Sequence, residues 1–153
     1  RGLSLVCNAA YIHSRVRFEE GAPERDRPLA GQSPYLVNAG LFYQHDDKGI
    51  SASLLYNRIG KRIESVGVPM QDQNEDIPDI YEMPRNSLDL TFSKKIGKAV
   101  EIKAGIQDML NSKIEYKQFV KLTDQNGGKR EREQLVRSYR PGVDINVGVS
   151  LKF

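Results

Sequence analysis

The chain has no tryptophan, one cysteine and two histidines in 153 residues. With Cys7 alone, no internal disulfide can staple the fold. His13 and His45 stand on separate segments without metal-ligand spacing, which removes the usual zinc patterns. No apolar run approaches the roughly eighteen residues of a transmembrane helix. That absence leaves open a crossing by strands, which need only about ten residues with every second one polar. No nucleophile elbow is present, and Gly127-Gly128 forms part of a turn rather than a phosphate cradle before a helix. The formal net charge is +3, and the basic residues are scattered rather than striped, so nucleic acid is not an expected partner. Neither catalysis nor a cofactor is expected.

Alternation dominates what is there. Val143, Ile145, Val147, Val149, Leu151 and Phe153 are apolar, and Asp144, Asn146, Gly148, Ser150 and Lys152 between them are polar or small. A strand points successive side chains to opposite faces, so this segment has one apolar and one polar face. Further strands are expected over 3–18, 35–44, 50–61, 86–94 and 99–110. The first has ambiguous parity and invites a bulge. A hairpin is expected with arms at 114–122 and 134–139 and its tip at Asp124-Gln125-Asn126-Gly127-Gly128.

The connections alternate in length. Long loops fall at 19–33, 62–84 and 111–140, and short turns at His45-Asp46-Asp47-Lys48-Gly49 and Lys95-Ile96-Gly97-Lys98. With the C-terminus on one side, both short turns share that side and all three long loops share the other. Outer-membrane barrels have this asymmetry. A charge on a lipid-facing midplane position costs about 2–4 kcal/mol, and the last three strands carry none across the middle of their apolar face. On the third, the first charge of that parity is Arg58, near its outer end. The expected fold is therefore all-β, an antiparallel transmembrane β-barrel fragment, with residues 1–153 forming one part of a single barrel domain. Six strands are fewer than the about eight of the smallest membrane barrels, so a longer protein is expected.

Asp89, Thr91, Glu101, Lys103, Gln107, Asp144, Asn146 and Lys152 fall on the polar faces and are candidates for lining a lumen. Asp72, Glu75, Asp76, Asp79 and Glu82 form an acidic stretch in the second long loop. They lack the spacing of a calcium loop, and the first four are candidate ligand-facing residues, because binding residues concentrate on loops held by a rigid scaffold.

Three stretches carry a family resemblance. The run Arg27-Pro28-Leu29-Ala30-Gly31-Gln32-Ser33-Pro34-Tyr35-Leu36-Val37-Asn38-Ala39-Gly40-Leu41 resembles a segment near the end of TonB-dependent outer-membrane receptors of the Bacteroidetes type. Ile106-Gln107-Asp108-Met109-Leu110-Asn111-Ser112-Lys113 is similar to the family's N-L-F-N-K ending of the penultimate strand, with Asp108 and Met109 where Asn and Leu are commoner. Pro141-Gly142 and the strand to Phe153 resemble the closing strand. The resemblance implies the last six strands of a barrel of about twenty-two strands, located in the cell outer membrane. It implies energy-coupled uptake of a scarce ligand: a siderophore, cobalamin, a glycan or a peptide. It makes Gly148, Val149, Leu151 and Phe153 part of the signal read by the barrel-assembly machinery. The implied partners are outer-membrane lipid, the TonB complex through a plug upstream of this segment, and in some members a surface lipoprotein. Two other readings stay open: a passive porin or adhesin barrel, which needs no plug, and a soluble β-sandwich binding module, which must pack its apolar faces together.

Overall fold

The computed structural model describes residues 2–20, 26–68, 77–123 and 129–152. Among them are ten strands, all paired antiparallel, and no helix. They are β1 (Gly2–Tyr11), β2 (Tyr35–His45), β3 (Ile50–Ile59), β4 (Arg62–Ser65), β5 (Ile80–Glu82), β6 (Arg85–Ile96), β7 (Val100–Gln107), β8 (Ile114–Thr123), β9 (Lys129–Tyr139) and β10 (Asp144–Leu151). The first strand is shorter than its alternation suggests. It ends at Tyr11, and its register with β2 runs without a bulge from Gly2↔Gln44 to Tyr11↔Tyr35. The hairpin expected within 111–140 is present as β8 and β9, and its tip lies outside the described residues. The long connection at 62–84 contains two short strands, β4 and β5, that alternation alone does not reveal.

Six strands form one sheet in the order β1-β2-β3-β6-β7-β10, and four form a second in the order β4-β5-β8-β9. In the larger sheet spatial order follows chain order, so it is an up-and-down meander with β1 and β10 as its edges. Both short turns lie at one rim. Gly49 (φ 58°) and Gly97 (φ 61°) supply the left-handed residue each needs, a conformation that costs other residues about 1–2 kcal/mol. The Gly49 amide closes its turn on the Asp46 carbonyl at 2.9 Å, and its own carbonyl accepts from Lys95 N at 2.7 Å.

The register sorts side chains into two sheet-wide faces. One row runs Leu5–Leu41–Leu54–Leu90–Ile106–Ile145, and the next runs Leu3–Tyr43–Ala52–Phe92–Ala104–Val147. The opposite face carries Ser51 against Ser93 (Oγ···Oγ 2.7 Å), Ser53 against Thr91, and Asn57 donating to Asn38. Cross-strand pairs of this kind contribute about 0.2–1 kcal/mol each. The polar face is not uniformly polar, since Val6, Leu36, Phe42 and Leu55 also point to it by alternation.

Nothing covers the apolar face among the described residues. Strands in close contact are ladder neighbours, and none packs across the face of another. Ile145 is 70% exposed and Val147 72%. Among the described residues Ile63 and Tyr116 are the buried hydrophobic ones, and both belong to the smaller sheet.

The smaller sheet continues the larger one. Ile59 pairs with Arg85 and Arg62 with Glu82, three residues further along each strand, so one register spans both sheets in this hairpin. The interruption falls at 60–61 and 83–84, where Pro84 has no N–H to give to a ladder. The next hairpin breaks differently. Gln107 pairs with Asp144 and Ile114 with Tyr139, leaving six residues on one arm and four on the other. The longer arm makes a turn in which Asn111 N donates to the Asp108 carbonyl at 2.8 Å. Asp108 (φ 51°) and Asn111 (φ 43°) are the positive-φ non-glycine residues among those described, and Asx side chains tolerate that region best.

Candidate functional site

The three long connections leave the rim opposite the short turns. Ile12 N donates to the Pro34 carbonyl (2.9 Å), and Gly60 N to that of Tyr35 (3.1 Å), so the first connection leaves β1 beside β2 and returns into β2 beside β3. Val16 and Arg27 bridge antiparallel within it, and Arg27 lies over the Phe18 ring at 5.7 Å. The connection is tied to the smaller sheet where Gly31 N donates to the Ile63 carbonyl at 2.8 Å. Ile63 is 1% exposed, and burying such a side chain contributes about 1.5–3 kcal/mol. The expected loops are thus partly structured, and the rim is a built surface.

A pocket of about 310 Å³ lies where the first connection meets β4 and β5. Its lining includes the apolar Ile12, Pro34 and Ile63, the aromatic Tyr81 and the polar residues Ser14 and Lys61. The Lys61 ammonium rests 4.2 Å from the Tyr81 ring centroid and 4.0 Å from that of Phe119. Those rings meet edge to face at 5.7 Å. A cation over two ring faces is held by their quadrupoles, which contribute about 0.5–2 kcal/mol depending on desolvation. Alternation places Lys61, Ile63, Tyr81, Lys117 and Phe119 on the side continuous with the polar face of the larger sheet.

The other side of the smaller sheet has its own charge and ring lattice. Arg62 Nε and an Nη of the same group donate to Oε2 of Glu82 at 2.9 and 2.7 Å. Arg137 lies 4.1 Å over the Tyr116 ring, and Tyr116 stacks on Tyr139. Burial pushes the Tyr116 hydroxyl pKa up. Burial also raises that of Tyr81, reinforced by the charge of Asp79 and the hydrogen bond to it. Lys117 is raised by its hydrogen bonds to Glu133 and Glu115, whose carboxylates lie 2.6 and 3.3 Å away.

The residues singled out from sequence are scattered over the molecule rather than gathered. Asp72, Glu75 and Asp76 lie outside the described residues. Asp79 is occupied locally: Oδ1 accepts from Gly67 N at 2.8 Å and Oδ2 from the Tyr81 hydroxyl at 3.4 Å. Glu101 pairs with Lys103 at 3.4 Å. Asn146 faces Gly105 and Asp144 faces Gln107 on the polar side, while Lys152 N extends the ladder to the Ala99 carbonyl at 2.8 Å. Gly148, Val149 and Leu151 sit on the edge strand β10, and Phe153 lies outside the described residues. Asp89 has a structural task, since its Oδ1 accepts from the Asp108 amide at 2.8 Å.

Comparison with family models, curated proteins and solved structures finds no match. The site has to be read from its own chemistry. Among the described residues no three His, Cys, Asp or Glu side chains gather as metal ligands. Cys7 is exposed on the apolar face of β1, away from both histidines. The rim therefore offers recognition chemistry: ring faces, cations and a concave apolar wall. Alternation alone misses Lys61, Tyr81 and Phe119, because what joins them is the β5–β8 pairing. The available signal was the mixture of aromatic and charged residues in 114–122, which suits neither lipid nor core.

Proposed function

We propose that this chain is the C-terminal part of the barrel of a TonB-dependent outer-membrane receptor, which binds a scarce ligand at its outer rim and takes it up by energy-coupled transport. The observation that carries the reading is the uncovered apolar face, which spans all six strands of the meander. Exposed contiguous apolar surface on this scale marks contact with lipid or another apolar partner. Tyr11, Tyr35 and Tyr56 lie towards one end of that face and Tyr43 towards the other, as the aromatic girdles of membrane barrels require. Arg58 also sits near the outer end, donating to the Tyr35 hydroxyl (3.3 Å) and to Asn86 Oδ1 (2.7 Å). Its charge is thus dressed in hydrogen bonds where the cost of lipid exposure is small.

The segregation of short turns to one rim and structured connections to the other supports the same reading, as do the three stretches that resemble the family. In this reading β1 and β10 pair with further strands of a larger barrel, since unpaired edges cost several kcal/mol per group in hydrocarbon. The polar face lines the lumen, the smaller sheet rises above the membrane, and β10 carries the assembly signal. A soluble sandwich requires its apolar faces packed together, and the absence of face-to-face packing among the described residues argues against it.

The test is fractionation of the source cells and mass spectrometry of the intact polypeptide that carries this C-terminus. The expected result is a much larger protein in the outer membrane with a plug domain upstream. An outer-membrane protein without a plug would make it a porin or adhesin, and a soluble protein of this size would overturn the barrel itself.

A further inference from the structure

We propose that the pocket between the first long connection and the smaller sheet is a subsite for a small ring-bearing carboxylate. The inference deepens the receptor reading and rests on it for access from outside the cell, but binding itself can be measured independently.

Three features choose the ligand class. The first is size: at about 310 Å³ the pocket is at the lower end of the range for small-molecule sites, enough for one ring and its substituents. The second is the wall. Tyr81 contributes aromatic surface and Pro28, Pro34 and Ile63 apolar surface, a lining suited to a ring rather than a flexible polar chain. The third is charge. Among the described residues, Lys61, Arg62 and His13 contribute to the lining and no carboxylate does.

The two strong cations differ in what already satisfies them. Arg62 is committed to Glu82 through two short hydrogen bonds. Lys61 has no carboxylate within 4 Å among the described residues and is held by the ring faces of Tyr81 and Phe119 instead. Ring faces stabilise a cation without taking its N–H donors in the way a carboxylate does, so Lys61 keeps donors for a ligand. Ser14 adds another: its Oγ accepts from Leu29 N at 3.2 Å, leaving the hydroxyl hydrogen to give. The Tyr81 hydroxyl is turned to Asp79, so Tyr81 offers its ring. A carboxylate hydrogen-bonded to Lys61 and Ser14 with its ring against Tyr81 uses each of these groups for what it has left.

The experiment uses the full-length protein carrying this chain, purified in detergent and titrated calorimetrically with benzoate and with its neutral counterpart benzamide. Benzoate is expected to bind at least about tenfold more tightly, the ratio that one charge-assisted hydrogen bond supports. Lys61→Gln is expected to shrink that preference below about threefold, while Lys103→Gln, which removes a cation paired with Glu101 on the wall, leaves it intact. If Lys61→Gln does not fold, Ser14→Ala is expected to weaken benzoate alone. Equal binding of the two probes, no binding of either, or a preference that survives loss of Lys61 or Ser14 overturns the inference. An outer-membrane protein that ignores benzoate sinks the subsite and spares the receptor reading. A protein outside the outer membrane that binds benzoate does the reverse.

Discussion

The backbone amide of Asp108 donates to the carboxylate of Asp89, 2.8 Å away on the neighbouring strand. Beside this contact the Met109 amide reaches the Leu88 carbonyl at 2.8 Å, and the regular β6–β7 ladder gives way to the turn at 108–111. Arg85 Nη2 lies 3.2 Å from Asp108 Oδ2, yet neither Asp108 carboxylate oxygen has an aligned hydrogen bond among the described residues. The pair is therefore held by charge attraction, and the directional work at this junction falls to Asp89.

Asp89→Ala should consequently destabilise the folded protein by about 1–3 kcal/mol, because it strands a half-buried amide. Asp89→Asn keeps an acceptor oxygen and should cost distinctly less. Denaturant unfolding of the detergent-solubilised protein measures both, and equal losses would show that the carboxylate charge matters rather than its acceptor.

The two faces of β3 should respond oppositely to one inserted charge. Leu54→Arg puts a guanidinium in the centre of the apolar face and should cost about 2–4 kcal/mol in a bilayer. Ser53→Arg, one residue away, points to the polar face beside Thr91 and should cost far less. Folding yield and unfolding in lipid vesicles distinguish them, and similar penalties would contradict assignment of the apolar face to lipid.

Ile63→Ala removes the most deeply buried side chain described in the molecule. A cavity at such a site costs about 2–5 kcal/mol. The loss should be local: hydrogen exchange should accelerate at the Gly31 amide and across β4 and β5, while the central amides of β2, β3 and β6 keep their protection.

Alkaline pH should loosen the smaller sheet. Tyr81 and Lys117 both hold their protons more tightly when folded than their ordinary values of 10.0 and 10.5. The folded state binds more protons in that interval, so stability falls as pH rises. Their contribution is complete below about pH 10 and disappears as each group titrates above its ordinary value. The ultraviolet difference between the native protein and Tyr81→Phe should place Tyr81 ionisation above the ordinary tyrosine range. Asp79→Asn should bring it down, because it removes a neighbouring charge and weakens the acceptor for the neutral hydroxyl.

The six long strands were legible in the sequence because a two-residue period is a local property. Leu88, Leu90 and Phe92 announce one face of β6 without reference to anything else. The short turns were legible for the same reason, with Gly49 and Gly97 marking the residues that must turn left-handed. The first strand was over-extended to 18: Val16 and Phe18 continue an apolar pattern, but the ladder stops at Tyr11 and resumes only as the Val16↔Arg27 bridge. β4 and β5 were illegible because strands of four and three residues carry too little period, and the partner that joins them to the rest of the smaller sheet, β8, comes from far along the chain. The pocket was hidden for a related reason. Its walls come from 11–14, 28–34, 61–63 and Tyr81, and the Gly31–Ile63 hydrogen bond brings the second of these groups onto the third.

The junction between the two sheets also obeys a counting rule. From the Leu90↔Ile106 pair to the Tyr81↔Lys117 pair, eight residues intervene on the first hairpin and ten on the second, a difference of two. Because side chains alternate, an even surplus returns the chain to the same orientation, and Tyr81 on the first hairpin and Lys117 on the second therefore meet as neighbours on one side. An odd surplus would have turned β8 inside out and sent Phe119 away from Lys61. Insertions and deletions at this level of the chain thus preserve the rim's recognition surface only in steps of two.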